Sequence, residues 1–137
     1  MNNSKKITIN NKEYELVYNA LTYIAYGDVF KNQDIFKDID TINTWVTTQV
    51  TLETEIKKQF PDITEDELIK NLSYSMIKNN MYEYTLAVMR IAYIGIYTAH
   101  DRKYKTFDEW LKEIENFSTN DLWIAEVTEL AVSSFCR

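Results

Sequence analysis

The sequence predicts a mainly α-helical fold that opens with a β-hairpin: a compact bundle of about five to six helices around one central apolar helix, residues 81–99. Three observations carry this. Glycine occurs twice and proline once in 137 residues, too few for the turns of an all-β chain or for a glycine-rich phosphate loop. Residues 6–18 read as two short strands around an Asn-Asn pair. Residues 81–99 are apolar on most sides, as the central helix of a bundle is.

In the hairpin, Ile7-Thr8-Ile9 and Tyr14-Glu15-Leu16-Val17-Tyr18 are rich in β-branched and aromatic residues. Ile7 and Ile9 share one face, and Tyr14, Leu16 and Tyr18 share another. Asn10-Asn11 supplies the positive φ of a two-residue turn. A hairpin is marginal alone, so its apolar side must pack on helices.

A first helix is expected over Ala20–Val29, with Leu21, Ile24 and Ala25 at helical spacing and Gly27 as its stop. Residues 31–40 read as a loop or a short helical turn. A second helix runs from about Thr41 to Gln59, with Ile42, Trp45, Val46, Gln49, Glu53, Ile56 and Phe60 on one stripe, and Pro61 closes it. Thr64-Glu65-Asp66-Glu67 is a capping box with Ile63 and Leu68 at staple spacing. It opens a third helix carrying Leu68, Ile69, Leu72 and Met76 and ending near Asn79-Asn80. Gly95 inside the central helix points to a close helix crossing.

Two short helices follow. Thr106-Phe107-Asp108-Glu109 is a capping box ahead of Phe107, Trp110, Leu111 and Ile114. Ser118-Thr119-Asn120-Asp121 opens the last helix, with Phe117 and Leu122 at staple spacing and Trp123, Val127, Leu130, Ala131 and Phe135 along it.

With 45% hydrophobic and 26% charged residues, this is ordinary globular composition, read as one domain over 1–137: a hairpin over 6–18 and a helical bundle over 20–135. The net charge is −6, spread along the chain without a basic block, which argues against nucleic-acid binding. One cysteine, Cys136, excludes a disulfide framework. The polar start Met1-Asn-Asn-Ser-Lys-Lys predicts no signal peptide. The most apolar run, Tyr84–Tyr97, contains Arg90 and is too short to span a bilayer. The expectation is a cytoplasmic protein.

Catalytic and metal chemistry find no foothold. His100-Asp101 is a neighbouring His–carboxylate pair without a nucleophile motif, and adjacent helical residues do not face each other; it reads as a polar helix end. One His and one Cys do not make a transition-metal site. Asp62, Glu65, Asp66 and Glu67 lack the alternating ligands and central Gly of a calcium loop and suit a helix start. Asp108, Glu109 and Glu113 read as a solvated face. Cys136 has only Arg137 as a neighbouring cation and reads as incidental. No catalytic, cofactor-binding or metal-ligating residue is assigned, no cofactor is expected, and the partner-binding surface stays open. The ten tyrosines and 14% aromatic residues suit either a tyrosine-rich core rim or an interaction surface.

Two stretches carry a family likeness. One is Ile7-Thr-Ile-Asn-Asn-Lys-Glu-Tyr-Glu-Leu-Val-Tyr, followed by a helix ending Tyr26-Gly27. The other is Thr85-Leu-Ala-Val-Met-Arg-Ile-Ala-Tyr-Ile-Gly-Ile-Tyr, then Thr106-Phe-Asp-Glu-Trp-Leu, then Glu126-Val-Thr-Glu-Leu-Ala-Val-Ser-Ser-Phe. Together they resemble the tail assembly chaperones of long-tailed bacteriophages and prophages of Gram-positive bacteria. The likeness leaves Phe30 to Asn80 without a counterpart, and Asn10-Asn11 replaces the glycine-containing turn of the family. The resemblance implies a non-enzymatic protein of the host cytoplasm, absent from the mature virion. Such a chaperone binds the helical tape measure protein, helps recruit the tail tube protein, works without nucleic acid or membrane, and is compatible with homo-oligomers and with a longer frameshifted product. A second reading of the same features is a small helical adaptor or regulator of a cellular protein.

Overall fold

The computed structural model describes residues 3–31, 33–78, 81–118 and 121–136, without the side chains of residues 74–78. Two strands, β1 (Ser4–Ile9) and β2 (Lys12–Val17), precede six helices among these residues. They are α1 (Ala20–Val29), α2 (Ile35–Gln59), α3 (Glu65–Lys78), α4 (Met81–Ala99), α5 (Phe107–Leu111) and α6 (Leu122–Phe135). The fold is mainly helical with an N-terminal hairpin, as expected.

The hairpin is antiparallel, with Ile7 opposite Tyr14 and Ile9 opposite Lys12. Asn10 and Asn11 have φ of 49° and 67°, the backbone of the mirror-image turn that suits a right-twisted strand pair. Opposed residues lie on the same face, so Ile7, Ile9, Tyr14 and Leu16 form a single buried face. The expectation of separate faces for the two strands is thereby corrected: the register unites them.

That face packs on α4, which also touches α1, α2, α3, α5 and α6. Residues 87–89 and 91–96 of α4 are all buried, and the buried apolar side chains of hairpin and helices form one cluster. Gly95 is where the hairpin comes closest. A Cβ built there would lie 2.9 Å from Tyr18 Cζ and 3.1 Å from Leu16 Cδ2. The close crossing expected at Gly95 is therefore between a helix and the end of a strand, not between two helices. The Tyr18 hydroxyl donates to the Ile91 carbonyl at 2.7 Å, which fixes the ring in that position.

Two helix starts differ from the sequence reading, while α1 keeps its expected bounds, Ala20–Val29. α2 starts at Ile35, so most of the segment read as a loop is helix. Asp34 is its N-cap and accepts from Phe36 N–H at 2.8 Å. The cause is burial: Ile35, Ile39 and Ile42, spaced i, i+4, i+7, all reach the core. Gly27 does not stop α1; it lies within the helix, which ends two residues later at Val29. α6 starts at Leu122, with Asp121 as N-cap, while Ser118 N–H donates to the Asp121 carboxylate at 3.1 Å. Leu122 is 77% exposed and forms no staple; Phe117 meets the Trp123 ring edge-on instead. Thr119 and Asn120, like Asn79 and Asn80 at the expected end of the third helix, lie outside the described residues, as does the Met76 side chain.

The Thr106 capping box is complete, with Glu109 N–H donating to Thr106 Oγ1 at 3.2 Å and Thr106 N–H donating to the Glu109 carboxylate at 3.0 Å. α5 is a single short turn and a half, and Ile114 lies beyond it. At Thr64 the Glu67 amide donates to the hydroxyl at 3.2 Å, and Leu68 and Leu72 are buried while Ile69 is exposed. No helix among the described residues is long and apolar enough to cross a membrane.

Candidate functional site

The candidate catalytic pair does not converge on anything. His100 follows the end of α4, exposed, its ring stacked on Tyr104 at 4.7 Å. Asp101 and Arg102 take positive φ, and Arg102 N–H donates to the Tyr97 carbonyl at 2.9 Å. That is a left-handed helix ending made without glycine, and it turns Asp101 out to solvent. Asp62, Glu65, Asp66 and Glu67 are exposed around the start of α3. Among the described residues no three His, Cys, Asp or Glu side chains gather as a metal ion requires.

Glu113 departs from its expected place on a solvated helix face. It lies past the end of α5, where its carboxylate takes the Lys105 ammonium, Lys12 Nζ at 3.4 Å and the Tyr14 hydroxyl at 3.3 Å. The Lys105 hydrogen bond comes first among the causes that hold its carboxyl below the usual range. Glu109 is also held low, first by the Thr106 backbone N–H it caps. Glu113 ties β2 to the segments on either side of α5, whereas Glu109 caps its own helix.

A second polar cluster escaped the sequence reading. Asp38 of α2 is 2% exposed and receives both Arg90 Nε and Arg90 Nη2 at 2.8 Å, a bidentate pair. The Tyr26 hydroxyl of α1 also donates to it. One buried carboxylate thus joins α1, α2 and α4. The Asp38 hydrogen bond is the main cause of the raised Arg90 pKa, and burial ahead of the Asp38 charge pushes Tyr26 up. With every group paired, the cluster reads as a structural clasp. No local pattern announces it, because Asp38 and Arg90 are 52 positions apart.

The tyrosines mostly settle on the core side. Tyr14, Tyr18, Tyr26, Tyr84 and Tyr93 are buried, while Tyr23 and Tyr82 are exposed. Tyr93 meets Phe30, Phe107 and Trp110 within 6.0 Å.

Of the clefts that remain open, one between the hairpin and α6 and one between α2 and α4 are lined largely by polar side chains, and another is largely apolar. A groove of about 690 Å³ lies between α2 and α6. Ile42, Val46 and Gln49 line it from α2; Ile124, Ala125 and Val132 line it from α6. Tyr84 of α4, held by a 4.5 Å stack on Trp45, also borders it. Val46 is 47% exposed, and Val50, one turn further along α2, is exposed too. The stripe read from the sequence therefore divides: Ile42 and Trp45 face the core, while Val46 and the helix-ending Phe60 face solvent.

The charge pattern here is unusual for a surface. From Thr41 to Leu52, α2 carries no charged residue, although Asn43, Thr44, Val46, Thr47, Val50 and Thr51 are exposed. Among the described residues, the charged ones that line the groove are Asp121 and Glu129, both acidic.

No family model, curated protein or solved structure matches the chain. Its geometry offers a helix-lined apolar trough as the candidate site, and the chemistry available there is burial of another chain's apolar surface.

Proposed function

We propose that this protein is a phage tail assembly chaperone, a non-enzymatic protein of the bacterial cytoplasm that binds the tape measure protein, helps recruit tail tube subunits and leaves before the virion is complete. The observation that carries the proposal is the combination of a well-packed core with an uncovered apolar trough between α2 and α6. A tape measure protein is long and helical, and its apolar stripes need a counterpart while they wait for tube subunits. A trough walled by two helices is such a counterpart. The spread negative charge keeps the loaded complex soluble. The resemblance of the hairpin, α4, α5 and α6 segments to that family supports the same reading.

Co-expression with the tape measure protein of the same genome tests it. The expected result is a clear rise in soluble tape measure protein, which co-purifies with this chain. Unchanged solubility and no co-purification would reject the proposal.

A further inference from the structure

The groove specifies its occupant by charge as well as by shape. Along α6 its lining runs from Asp121 to Cys136, roughly 22 Å at the helical rise, enough for about four turns of a docked helix. The α2 wall presents methyl groups and uncharged polar side chains, with no charge between Thr41 and Leu52. The α6 side contributes Glu129, which is exposed, and Asp121 at the helix start, and no lysine or arginine is among the described residues that line the groove. We infer that the groove docks an amphipathic helix of a partner chain whose apolar stripe is flanked by lysine or arginine. Resting on the chaperone reading, this names the surface and the kind of helix that the chaperone takes.

The charge pattern argues against a second copy as occupant. Two such grooves face to face would bring the Asp121 and Glu129 carboxylates of one copy toward those of the other, with no basic residue among the described lining residues to offset them. A basic-flanked helix meets the opposite sign at the rim and only apolar or neutral groups along the α2 wall. The contribution of the rim is screened by salt and that of the stripe is not.

The test uses the full chain and two synthetic helical peptides of about 18 residues. Both carry Leu and Ile at i, i+3, i+4, i+7 spacing; one is flanked by Lys and the other by Glu. Calorimetric titration at low salt should show the Lys-flanked peptide binding at least about tenfold more tightly, the difference shrinking in high salt. Val46→Asp and Leu122→Asp should each weaken that binding by about tenfold or more, with circular dichroism and melting temperature unchanged because both positions are exposed. Glu129→Lys should narrow or invert the preference between peptides. Ile24→Asp, on the exposed side of α1, should leave binding as it is.

Failure of the Lys-flanked peptide to bind, equal binding of both peptides, or binding indifferent to Val46→Asp and Leu122→Asp would overturn the inference. So would a concentration-dependent dimer in sedimentation that Val46→Asp dissociates, since a second copy would then fill the groove. The two proposals fail separately. If the tape measure protein is kept soluble equally well by the Val46→Asp/Leu122→Asp chain, the groove is refuted and the chaperone reading stands. If the Lys-flanked peptide docks as described but the tape measure protein stays insoluble, the groove stands and the chaperone reading is refuted.

Discussion

The two sides of α4 are built from similar residues and end in opposite states. On the hairpin side Tyr18 and Leu16 press onto Gly95, the Tyr18 hydroxyl meets the Ile91 carbonyl, and the Thr22 and Thr98 hydroxyls meet at 2.9 Å. Each of these side chains is buried. On the α2–α6 side, Tyr84 borders an open trough flanked by exposed Val46 and Leu122. The difference lies in what fixes the geometry. The closed side is pinned by buried hydrogen bonds that hold rings and helices in one register. Beside the groove, Val46 and Val132 carry no polar group to make such a pin, and the Thr128 hydroxyl donates only within its own helix, to the Ile124 carbonyl at 2.8 Å.

Alkaline pH should have the largest effect, breaking the closed side first. Burial is the leading cause that raises the Tyr14, Tyr84 and Tyr93 phenols to about 12, and it pushes Tyr18 and Tyr26 up as well. Their folded-state values lie above the unfolded value of about 10. The stability they contribute is therefore complete below pH 10 and is lost as pH rises from 10 through the folded values. Each costs at most about 1.4 kcal/mol per pH unit in that window, so several buried phenols ionising together reach the stability of an ordinary domain. Helical circular dichroism should be lost cooperatively as pH climbs above about 10, together with the last and steepest part of the phenolate absorbance; a helix content unchanged up to about pH 12 would contradict this.

The clasp comes next. Asp38→Ala strips Arg90 and Tyr26 of their acceptor and should cost roughly 3 kcal/mol in urea denaturation, at the lower end for a buried pair. The Arg90 side chain keeps 16% of its surface exposed and can turn toward water. A loss below about 1 kcal/mol would mean that the clasp sets geometry without adding stability.

The same substitution at two glycines sharpens the contrast between closed and open surface. Gly95→Ala places a methyl against the fixed ring of Tyr18 and should cost about 1–3 kcal/mol by overpacking. Gly27→Ala, on an exposed helical position with nothing within 4 Å of the added carbon, should stabilise by about 0.5–1 kcal/mol. Opposite shifts in the urea midpoint are the expected outcome, and shifts of the same sign would count against the packing described for α4. Smallest of all, Val46→Asp beside the groove should change stability by no more than about 0.5 kcal/mol. A larger loss would show that the α2 wall is part of the core.

Much of the fold was legible because its signals are local. The Asn10-Asn11 turn, the Thr106 box and the apolar girth of α4 each act within a few residues. The start of α2 was legible in principle, since Asp34 is a capping residue and Ile35, Ile39 and Ile42 have helical spacing, but interspersed Lys37, Asp38 and Asp40 broke the pattern. Asp38 is polar by type and buried in fact, and its burial depends on a partner far along the chain. Val46 shows the opposite: apolar on a helical stripe, it reads as core, yet it is the neighbour Trp45 that turns inward to stack on Tyr84.

The residue pattern alone announced the hairpin and its turn, the helical character of most of the rest, the Thr64 and Thr106 caps and the central place of α4, because backbone preference and periodicity are written within a turn or two of chain. Tertiary structure alone decided that Gly95 receives a tyrosine from the hairpin, that Asp38 clasps Arg90 and Tyr26, and that α2 and α6 leave a groove between them. Those features depend on the distances between elements far apart in sequence, and residue spacing along one helix carries no information about such distances.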